Sequence, residues 1–368
     1  MTEKFTRIVT SSVDGPLASQ CKSILEQTDR NGAAISIVFF FTAETQDDFR
    51  ENKAALCSAV GSFYGNAEAP QVTYVAQGTP DDRLAAEVLY LNSRDAEIIR
   101  KDGYTVLCSD GCRELVTQGI NYPEAGDAGK QSDKVFGRIK EILDAENFAV
   151  SDIVRQWNYI EKITRTESGV QNYQMFNDSR SAFYSSSDWT DGYPAATGIG
   201  CRAGGVTVAV YAVKGYEGLD FPIDNPLQTP AHKYSEKVLA SGGENRTRTT
   251  PKFERGRLLD RTVFVSGTAA IKGESSEMST DAEIQARSAI EVVESLVAPS
   301  NIAGNCTGFS FGMIRVYVRR PEDLETVRNV LTSHFRNIPI HFLIADICRS
   351  ELLLELEGIG RITCRTES

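Results

Sequence analysis

One order of elements, strand–helix–strand–helix–strand, can be traced twice along this chain, and that repeat limits its fold more than any other feature. The C-terminal copy is predicted to contain a strand at 262–269, a helix from about residue 281, a strand at 313–319, a helix just after Pro321 and a final strand within 345–358. The first of these helices carries Ile284, Ile290 and Val293 along one stripe. Thr280 and Glu283 have the spacing of a capping box at its start. This order predicts a mixed sheet with its helices on one face.

The middle of the chain repeats the order, and its beginning fits an incomplete third copy. The middle copy has a strand at 104–108, a helix at 131–146, a strand at 153–160, a helix near 173–184 and a closing strand at 206–211. The N-terminal elements are a strand at 35–41, a helix at 47–63 and strands at 71–76 and 84–91. Since 368 residues are too many for one compact core, we predict domains at 1–103, 104–220 and 221–368. The expected fold class is α+β, in tandem units that could pack around a pseudo-threefold axis.

The net charge limits the partners of the protein. A formal net charge of −11 argues against binding of nucleic acid or an anionic membrane, because both need a positive face. An acidic substrate would therefore need a local cluster of arginines. The first residues begin no signal peptide and no apolar run is long enough to span a bilayer, so we expect a cytoplasmic protein.

The cysteines and histidines are dispersed along the sequence. Cys108 and Cys112 are the one close pair among eight cysteines, and they have neither a matching second pair nor a nearby histidine. We therefore expect reduced thiols and no metal site. No sequence feature indicates a cofactor. The polar, glycine-rich stretches at 123–126 and 241–245 are predicted to form surface loops.

The predicted final strand carries an unusual set of charges. Cys348, Arg349, Glu355 and Glu357 lie in a segment that otherwise has the composition of a buried strand. Charged side chains are rarely buried without a partner, so Arg349 is expected to meet an anion and Glu355 to have a shifted pKa. Aligning the two copies on their closing strands places 195–196 beside Cys348 and Arg349, and an uncharged residue near Ala209 beside Glu355. The sequence therefore predicts one active site per chain, in the C-terminal copy, with the degenerate middle copy as a wall.

Several strings of residues resemble a known family. The stretch 266–269, Arg349 before the final strand and the strand at 355–357 resemble the reactive-intermediate deaminase (YjgF) superfamily. Longer strings resemble the chorismatases within it, namely Arg155 to Ile160, Gln171 to Gln174 with Phe176, Asn177 and Arg180, Tyr193 to Gly200, Asp224 to Pro226 with Gln228, and Pro251 with Phe253 and Arg255. The resemblance covers roughly residues 105–360 and implies tandem units of the YjgF/chorismate-mutase-like fold. One departure is the loop at 274–278, which lacks an expected histidine.

The resemblance implies an activity and roles for individual residues. Chorismatases release pyruvate from the enolpyruvyl side chain of chorismate, and Glu355 falls at the position of the family's proton donor. A carboxyl in an apolar pocket suits that role, because desolvation raises its pKa. Arg349 would bind a substrate carboxylate by a bidentate fork. Cys348 is typical of members that form 3-hydroxybenzoate, whereas Ala270 is less typical of them, so two product types stay open here: 3-hydroxybenzoate, and a dihydroxycyclohexadiene carboxylate formed by hydrolysis.

Four further side chains are weaker candidates for contacts with the second carboxylate and the ring hydroxyl. They are Arg180, Tyr184, Tyr211 and Arg319. An ordinary salt bridge or a core tyrosine is an equally good interpretation of each. The expected partner is the small molecule chorismate, and the protein is expected to be a monomer or a small homo-oligomer. The alternative functions are an imine or enamine deaminase, as in the wider superfamily, and a non-catalytic binding protein on the same fold.

Overall fold

The computed structural model describes residues 3–28, 33–65, 68–92, 96–109, 111–167, 169–236, 239, 249–302 and 306–364. The loop predicted at 241–245 lies outside these ranges. Within them the chain forms three units, each built on its own main sheet, and we call these the N-terminal, middle and C-terminal units. No helix in the described part of the chain is both long and apolar enough to cross a lipid bilayer.

The N-terminal unit is a four-stranded sheet with two helices. Its elements are β1 (Lys4–Thr10), α1 (Leu17–Thr28), β2 (Ala33–Phe40), α2 (Gln46–Tyr64), β3 (Gln71–Val75) and β4 (Ala85–Leu91). The strand order is β1–β4–β2–β3, in which β2 and β3 run parallel and the other neighbours antiparallel. Thr45 begins α2 with a capping box, because its hydroxyl accepts from the Asp48 N–H and the Asp48 carboxylate accepts from the Thr45 N–H.

The middle unit is a larger mixed sheet covered by two helices. Its elements are β5 (Glu97–Lys101), β6 (Tyr104–Ser109), β7 (Cys112–Thr117), β8 (Ile120–Asn121), α3 (Ala128–Ala145), β9 (Ile153–Glu161), β10 (Thr166–Glu167), β11 (Val170–Gln171), α4 (Asn172–Tyr184), β12 (Ala195–Cys201) and β13 (Val206–Lys214). The order is β12–β9–β13–β7–β6–β5, with β8 paired to β13 and β12 parallel to β9. A core that includes Val135, Ile139, Phe176 and Val208 joins α3 and α4 to one face of the sheet.

The C-terminal unit repeats this plan. Its elements are β14 (Asp220–Ile223), β15 (Gly256–Leu259), β16 (Thr262–Thr268), β17 (Ile271–Lys272), β18 (Ser275–Ser276), α5 (Ala282–Val297), α6 (Pro299–Ile302), β19 (Cys306–Val318), α7 (Leu324–His334), β20 (Ile340–Ile344) and β21 (Leu354–Cys364). The order is β14–β15–β16–β21–β19–β20, and β17 pairs with β18 as a separate hairpin. The predicted α+β fold of tandem mixed sheets with helices on one face is confirmed. The domain division stays a prediction, although the sheets assign β5 to the middle unit and β14 to the C-terminal unit.

Two details of the C-terminal unit differ from the prediction. The final strand begins at Leu354, and residues 345–353, here called the site loop, contain no helix or strand. Arg319 explains the loop, because its guanidinium donates to the carbonyls of Ile347, Arg349 and Leu352 and so competes with strand pairing. Helix α5 begins at Ala282, close to its predicted start, but its cap is Asp281 and not the Thr280 of the predicted capping box.

Ile284 on α5 is also placed differently from the prediction, since 49% of its surface is exposed. The core stripe of α5 is formed instead by small residues at 282, 286 and 289, together with Ile290 and Val293. Alanines bury little area, so the apolar pattern of the sequence gave them less weight than the isoleucine.

The predicted alignment of the two copies also needs correction. Strand β20, which the sequence pattern did not indicate, runs parallel to β19 as β12 runs parallel to β9. Ala195 therefore corresponds to β20 and not to the site loop. Glu355 lies opposite Tyr317 in the ladder, and Thr207 lies opposite Tyr159, so Thr207 rather than Ala209 is the counterpart of Glu355. Of these two units, the C-terminal one alone has a carboxylate there.

The three units pack against one another through the faces of their sheets that the helices leave bare. One buried cluster contains Phe40 of β2, Tyr159 of β9 and Tyr317 of β19, which lie at comparable places in the three sheets. Beside it lies a group of charged side chains that we call the central ion network, consisting of Glu87, Arg155, Arg315, His341 and Glu357. The network draws on every unit, so the charges that each sheet buries are neutralised by its neighbours.

Candidate active site

A cavity of about 580 Å³ lies where the middle and C-terminal units meet. The middle unit contributes α4 and β12, and the C-terminal unit contributes β16, the β17–β18 hairpin, the site loop and the start of β21. The Ser266 side chain connects the two units beside this cavity. Its hydroxyl accepts from the Ala196 N–H of the middle unit at 2.9 Å and donates to the Glu254 carbonyl of the C-terminal unit at 2.6 Å. The cavity is therefore complete only when both units are folded together.

Two deeply buried arginines line this cavity. Arg180 of α4 is 1% exposed and donates to the Asn177 amide oxygen at 2.6 Å. Arg255, just before β15, is 3% exposed and donates to the Thr229 carbonyl at 2.6 Å and to the Tyr234 hydroxyl at 2.5 Å. The Nε–H of each guanidinium is buried and has no hydrogen-bond partner in the described structure.

Arg349 of the site loop is the third arginine of the cavity. Its Nη1 donates to the Glu274 carbonyl at 2.9 Å and to the Ser276 hydroxyl at 3.0 Å, and its guanidinium lies 5.4 Å from the centroid of the Tyr234 ring. Among the residues that the structure describes, neither Arg349 nor the two buried arginines form an ion pair with a carboxylate. Three arginines without an ion-pair partner in one cavity are suited to an anionic ligand with more than one carboxylate.

Glu355 is the most deeply buried of three glutamates that line this cavity, the others being Glu274 and Glu351. It is 5% exposed and forms no hydrogen bond with any other described residue. Burial, followed by the neighbouring charge of Glu357, raises the pKa of Glu355 to about 8, although Arg155 and Arg255 act in the opposite direction. At neutral pH this carboxyl is therefore largely protonated, which suits a general acid.

Gly267 provides the space that Glu355 occupies. The β16–β21 ladder is interrupted by a bulge between Val265 and Thr268, and Gly267 lies within it. A Cβ atom on Gly267 would lie 2.0 Å from Oε1 of Glu355 and 3.1 Å from Cγ2 of Thr197. Any larger residue would therefore displace the carboxyl group or the wall behind it.

For the chorismate cleavage that the family resemblance implies, we predict that Gly267→Ala lowers kcat/KM by about 10²-fold. A shift of about 1 Å in a reacting group has effects of this size. Steady-state kinetics and a crystal structure of the variant would measure the loss and the displacement of Glu355. Gly312→Ala on β19 is a matched control, since its Cβ would come no closer than 3.6 Å to another atom, the Ile359 carbonyl oxygen. Unchanged kinetics in the Gly267 variant would contradict this account of the wall.

The central ion network lies directly behind Glu355. Glu357 forms ion pairs of 2.5 Å with both Arg155 and Arg315, and it accepts a hydrogen bond from the Thr197 hydroxyl. Arg315 in turn pairs with Glu87 of the N-terminal unit. Burial alone would raise the pKa of Glu87, but Arg315 and His341 hold it at about 2. Glu357 is thus fixed by cations, whereas Glu355, two residues away, faces the cavity.

Cys348 lies in the site loop and lines the cavity beside Arg349. Burial and the nearby Glu355 raise the pKa of its thiol to about 12, so it is a neutral thiol at physiological pH. A neutral thiol is a poor nucleophile, and its contribution to the cavity is therefore size, shape and weak polarity.

The structure brings four of the eight residues singled out in the sequence to the cavity and leaves four elsewhere. The four that line it are Arg180, Cys348, Arg349 and Glu355. Ala270 is buried beside the cavity, and its neighbour Ala269 lines the wall. Arg319 lies outside the cavity, because its guanidinium is used to hold the site loop and to pair with Asp346 at 3.0 Å.

Both predicted tyrosines are used in the interior of the protein. Tyr184 donates to the Gln156 side chain at 2.8 Å behind β12. Tyr211 donates to Glu114 and lines a second cavity of about 380 Å³ between the three units, so it does not reach the candidate site. Both side chains point into the protein interior. The sequence alone does not distinguish a tyrosine buried in this way from one that lines a cavity.

Sequence reasoning gave no site role to Arg255, Tyr234, Tyr173 or Gly267. Arg255 and Tyr173 occur in strings that resemble the chorismatases, and Gly267 occurs in the stretch that resembles the YjgF superfamily, and that was the signal available for them. Tyr234 stacks between two arginines, with guanidinium distances of 5.3 Å from Arg255 and 5.4 Å from Arg349. Tyr173 of α4 lies against Gly198 of β12.

Comparison with known proteins gives consistent matches. Residues 93–212 match the family model described as Chorismatase FkbO/Hyg5-like, N-terminal. A 3-hydroxybenzoate synthase of Streptomyces hygroscopicus is 32% identical over 328 residues, which are 84% of this chain and 89% of that protein. A chorismatase of Streptomyces rapamycinicus is 28% identical over 64% of this chain and 72% of its own length.

A crystal structure of a chorismatase has the same fold. It covers 97% of this chain and 98% of its own, with a TM-score of 0.72 and 22% sequence identity. The similarity therefore extends through all three units, including the N-terminal one, for which the sequence patterns were weakest. Together with the relative that is 32% identical over most of both chains, this shows that the chain belongs to the chorismatase family.

Proposed function

We propose that this protein converts chorismate to 3-hydroxybenzoate and pyruvate. The observation that carries the proposal is the juxtaposition of Arg180, Arg255 and Arg349, which have no acidic partners in the described structure, with Glu355, whose pKa is raised to about 8. Chorismate is a dianion with an acid-labile enol ether, so it matches both halves of this arrangement. The relative named 3-hydroxybenzoate synthase supports the choice of product.

The first step of the proposed reaction is proton transfer from Glu355 to the methylene carbon of the enolpyruvyl group. The product is an oxocarbenium ion, and Glu355 is left as a carboxylate. Arg180, Arg255 and Arg349 hold the two substrate carboxylates and so direct the methylene carbon towards Oε1 or Oε2 of Glu355. The charge of Glu357 stays paired with Arg155 and Arg315, so the proton donor is Glu355 and not its neighbour.

The second stage is transfer of the ring oxygen and aromatisation. The ring hydroxyl at C4 adds to the oxocarbenium carbon, the bond from that carbon to the original ether oxygen breaks, and the hydroxyl proton passes to this oxygen, which stays on C3. The C4–O bond then breaks, pyruvate leaves with the former hydroxyl oxygen as its keto oxygen, and the ring becomes aromatic as C3 loses its proton. That proton returns to Glu355, so chorismate equals the sum of its two products and no water is consumed. Cys348 fills the part of the cavity beside Glu355, and a small neutral thiol there is consistent with keeping water from the oxocarbenium ion.

Incubation of the purified protein with chorismate, without any added cofactor, tests this proposal. We expect equal amounts of pyruvate, measured with lactate dehydrogenase, and 3-hydroxybenzoate, measured by chromatography and mass spectrometry. A dihydroxycyclohexadiene carboxylate in place of the aromatic acid would replace the proposed product by the hydrolytic one. If no pyruvate forms, while ammonia is released from an imine or enamine substrate, the protein is a deaminase.

The pKa of Glu355 predicts the pH dependence of the reaction. A group whose pKa is raised to about 8 is protonated below that pH and loses its proton above it. As a general acid, Glu355 should therefore give a kcat/KM that is flat near pH 6 to 7 and falls about tenfold per unit well above pH 8. Initial rates in a constant-ionic-strength buffer series would measure the profile. An activity that rises through this range would show that the carboxylate form is the active one.

A further inference from the structure

The hydroxyl of Thr197 lies between the cavity and the central ion network. Thr197 is on β12 of the middle unit and is 1% exposed. Its Oγ1 accepts a hydrogen bond of 2.7 Å from Arg155 Nη2 and one of 3.1 Å from the Gly267 N–H, and it donates to Glu357. The hydroxyl thus uses its donor and both of its acceptor positions, which is the full capacity of the group.

Each of the three hydrogen-bond partners of Thr197 affects the position or the pKa of Glu355. Gly267 is the wall against which the Glu355 carboxyl rests. Glu357 is the charge that, after burial, does most to raise the pKa of Glu355, and Arg155 is the first of the two cations that lower it, the other being Arg255. One buried hydroxyl is therefore hydrogen-bonded both to the backbone beside the Glu355 carboxyl group and to two of the charges that act on it.

We propose that Thr197 is a positioning residue for Glu355, supplied to the C-terminal unit by the middle unit, which carries no proton donor at the corresponding place. It holds the Gly267 backbone and the Glu357 side chain in the arrangement that keeps Glu355 against the cavity wall and protonated. This inference rests on the proposed function for its kinetic consequence, whereas its geometric consequence can be measured without substrate.

The groups that face Glu355 come from several elements, and any change in its titration has to be judged against all of them. They are Glu357 on β21, Arg155 on β9, Tyr234 and Arg255 before β15, Glu274 in the turn between β17 and β18, Cys348, Arg349 and Glu351 in the site loop, and Tyr173 and Arg180 on α4. Removing the Thr197 hydroxyl changes the chemical identity of none of these residues. It frees the Gly267 N–H, which we expect to donate to the Glu355 carboxylate instead and so to favour its charged form.

The test compares Thr197→Val with Thr197→Ser. Valine keeps the branched shape and removes the hydroxyl, whereas serine keeps the hydroxyl and removes the methyl group. We expect Thr197→Val to lower kcat at least tenfold with little change in KM, and to move the alkaline limb of the kcat/KM profile to lower pH by about one unit. Thr197→Ser should restore most of kcat and the wild-type profile.

A role in packing alone predicts the opposite order, with valine close to wild type and serine impaired, and that result would overturn the inference. A titration of 13C-labelled glutamate carboxyls by NMR, with Glu355→Gln to assign the signal, gives a readout that needs no turnover. A Glu355 pKa lower in Thr197→Val and unchanged in Thr197→Ser supports the positioning role even if chorismate is not the substrate. Equal pKa values in wild type and both variants would refute it, and absence of pyruvate from the wild type would refute only the proposed function.

Discussion

Replacing Glu355 by Gln should lower kcat for chorismate by about 10³-fold, because general-acid catalysis by one positioned group contributes roughly 10² to 10⁴ in rate. Glutamine cannot deliver a proton to carbon, yet it has nearly the same shape as the protonated carboxyl. Since Glu355 makes no hydrogen bond to other described residues and its pKa is raised to about 8, the neutral amide should fit the site without loss of stability. Pyruvate release and thermal unfolding, measured on the same preparation, check both expectations.

The matched control for the change of charge is Glu325→Gln on the exposed face of α7, which should leave turnover unchanged. Glu355→Asp is informative as well, because it keeps an acid but withdraws it from the cavity. Activity within tenfold of wild type in Glu355→Gln would contradict the assignment of the proton donor. A large fall in melting temperature would instead show that the carboxyl has a structural role that its lack of hydrogen bonds does not indicate.

Replacing Arg349 by Met should lower kcat/KM by about 10²-fold, mostly through a higher KM. Truncating one member of a buried, hydrogen-bonded charge pair costs about 2–5 kcal/mol, and Arg349 is only partly buried, so the lower part of that range applies. The Glu274 carbonyl and the Ser276 hydroxyl hold Nη1, which leaves the remaining donors of the guanidinium for a substrate carboxylate. Initial-rate kinetics over a wide range of chorismate concentration would measure the effect.

Two further variants sharpen the Arg349 experiment. Arg349→Lys keeps the charge but loses the planar fork, so it should recover only part of the affinity. Arg287→Met on the exposed face of α5 removes a cation far from any role in the site and should leave KM unchanged. A KM close to wild type in Arg349→Met would mean that Arg180 and Arg255 alone hold the substrate carboxylates.

The sequence patterns were most informative about local structure and least informative about contacts between units. The helices α3, α4, α5 and α7 and the strands β9 and β16 lie close to their predicted places, because periodic apolar residues report which face of an element is buried. Strand β19 begins at Cys306, seven residues before the predicted start at residue 313. Strand β20 was missed and the final strand was started too early. The apolar residues on both sides of the site loop give no sign of the Arg319 hydrogen bonds that keep the loop out of the sheet.

For the candidate site, too, the sequence indicated residues within one segment better than residues brought together from different parts of the chain. Glu355, Cys348 and Arg349 are close in sequence, so their common position depends on one short segment. Arg255 reaches the site from another part of the chain, and nothing local distinguishes it from Arg257, which pairs with Asp220 at 2.6 Å. Tyr184 and Tyr211 are held away from the site by hydrogen bonds to Gln156 and Glu114. These partners are distant in sequence, and a single sequence does not show which strands bring them together.

Joining three related units in one chain has a consequence for how such a protein can change over evolutionary time. In a closed ring of identical subunits, each substitution appears at every interface at once, so it must be tolerated in all of them. Here Glu87 meets Arg315 across one junction, and Thr197 meets Gly267 across another, and neither contact has to be repeated elsewhere. A mutation can therefore improve one junction without a penalty at the other two, and a unit that carries no proton donor of its own remains free to specialise in shaping its neighbour's site.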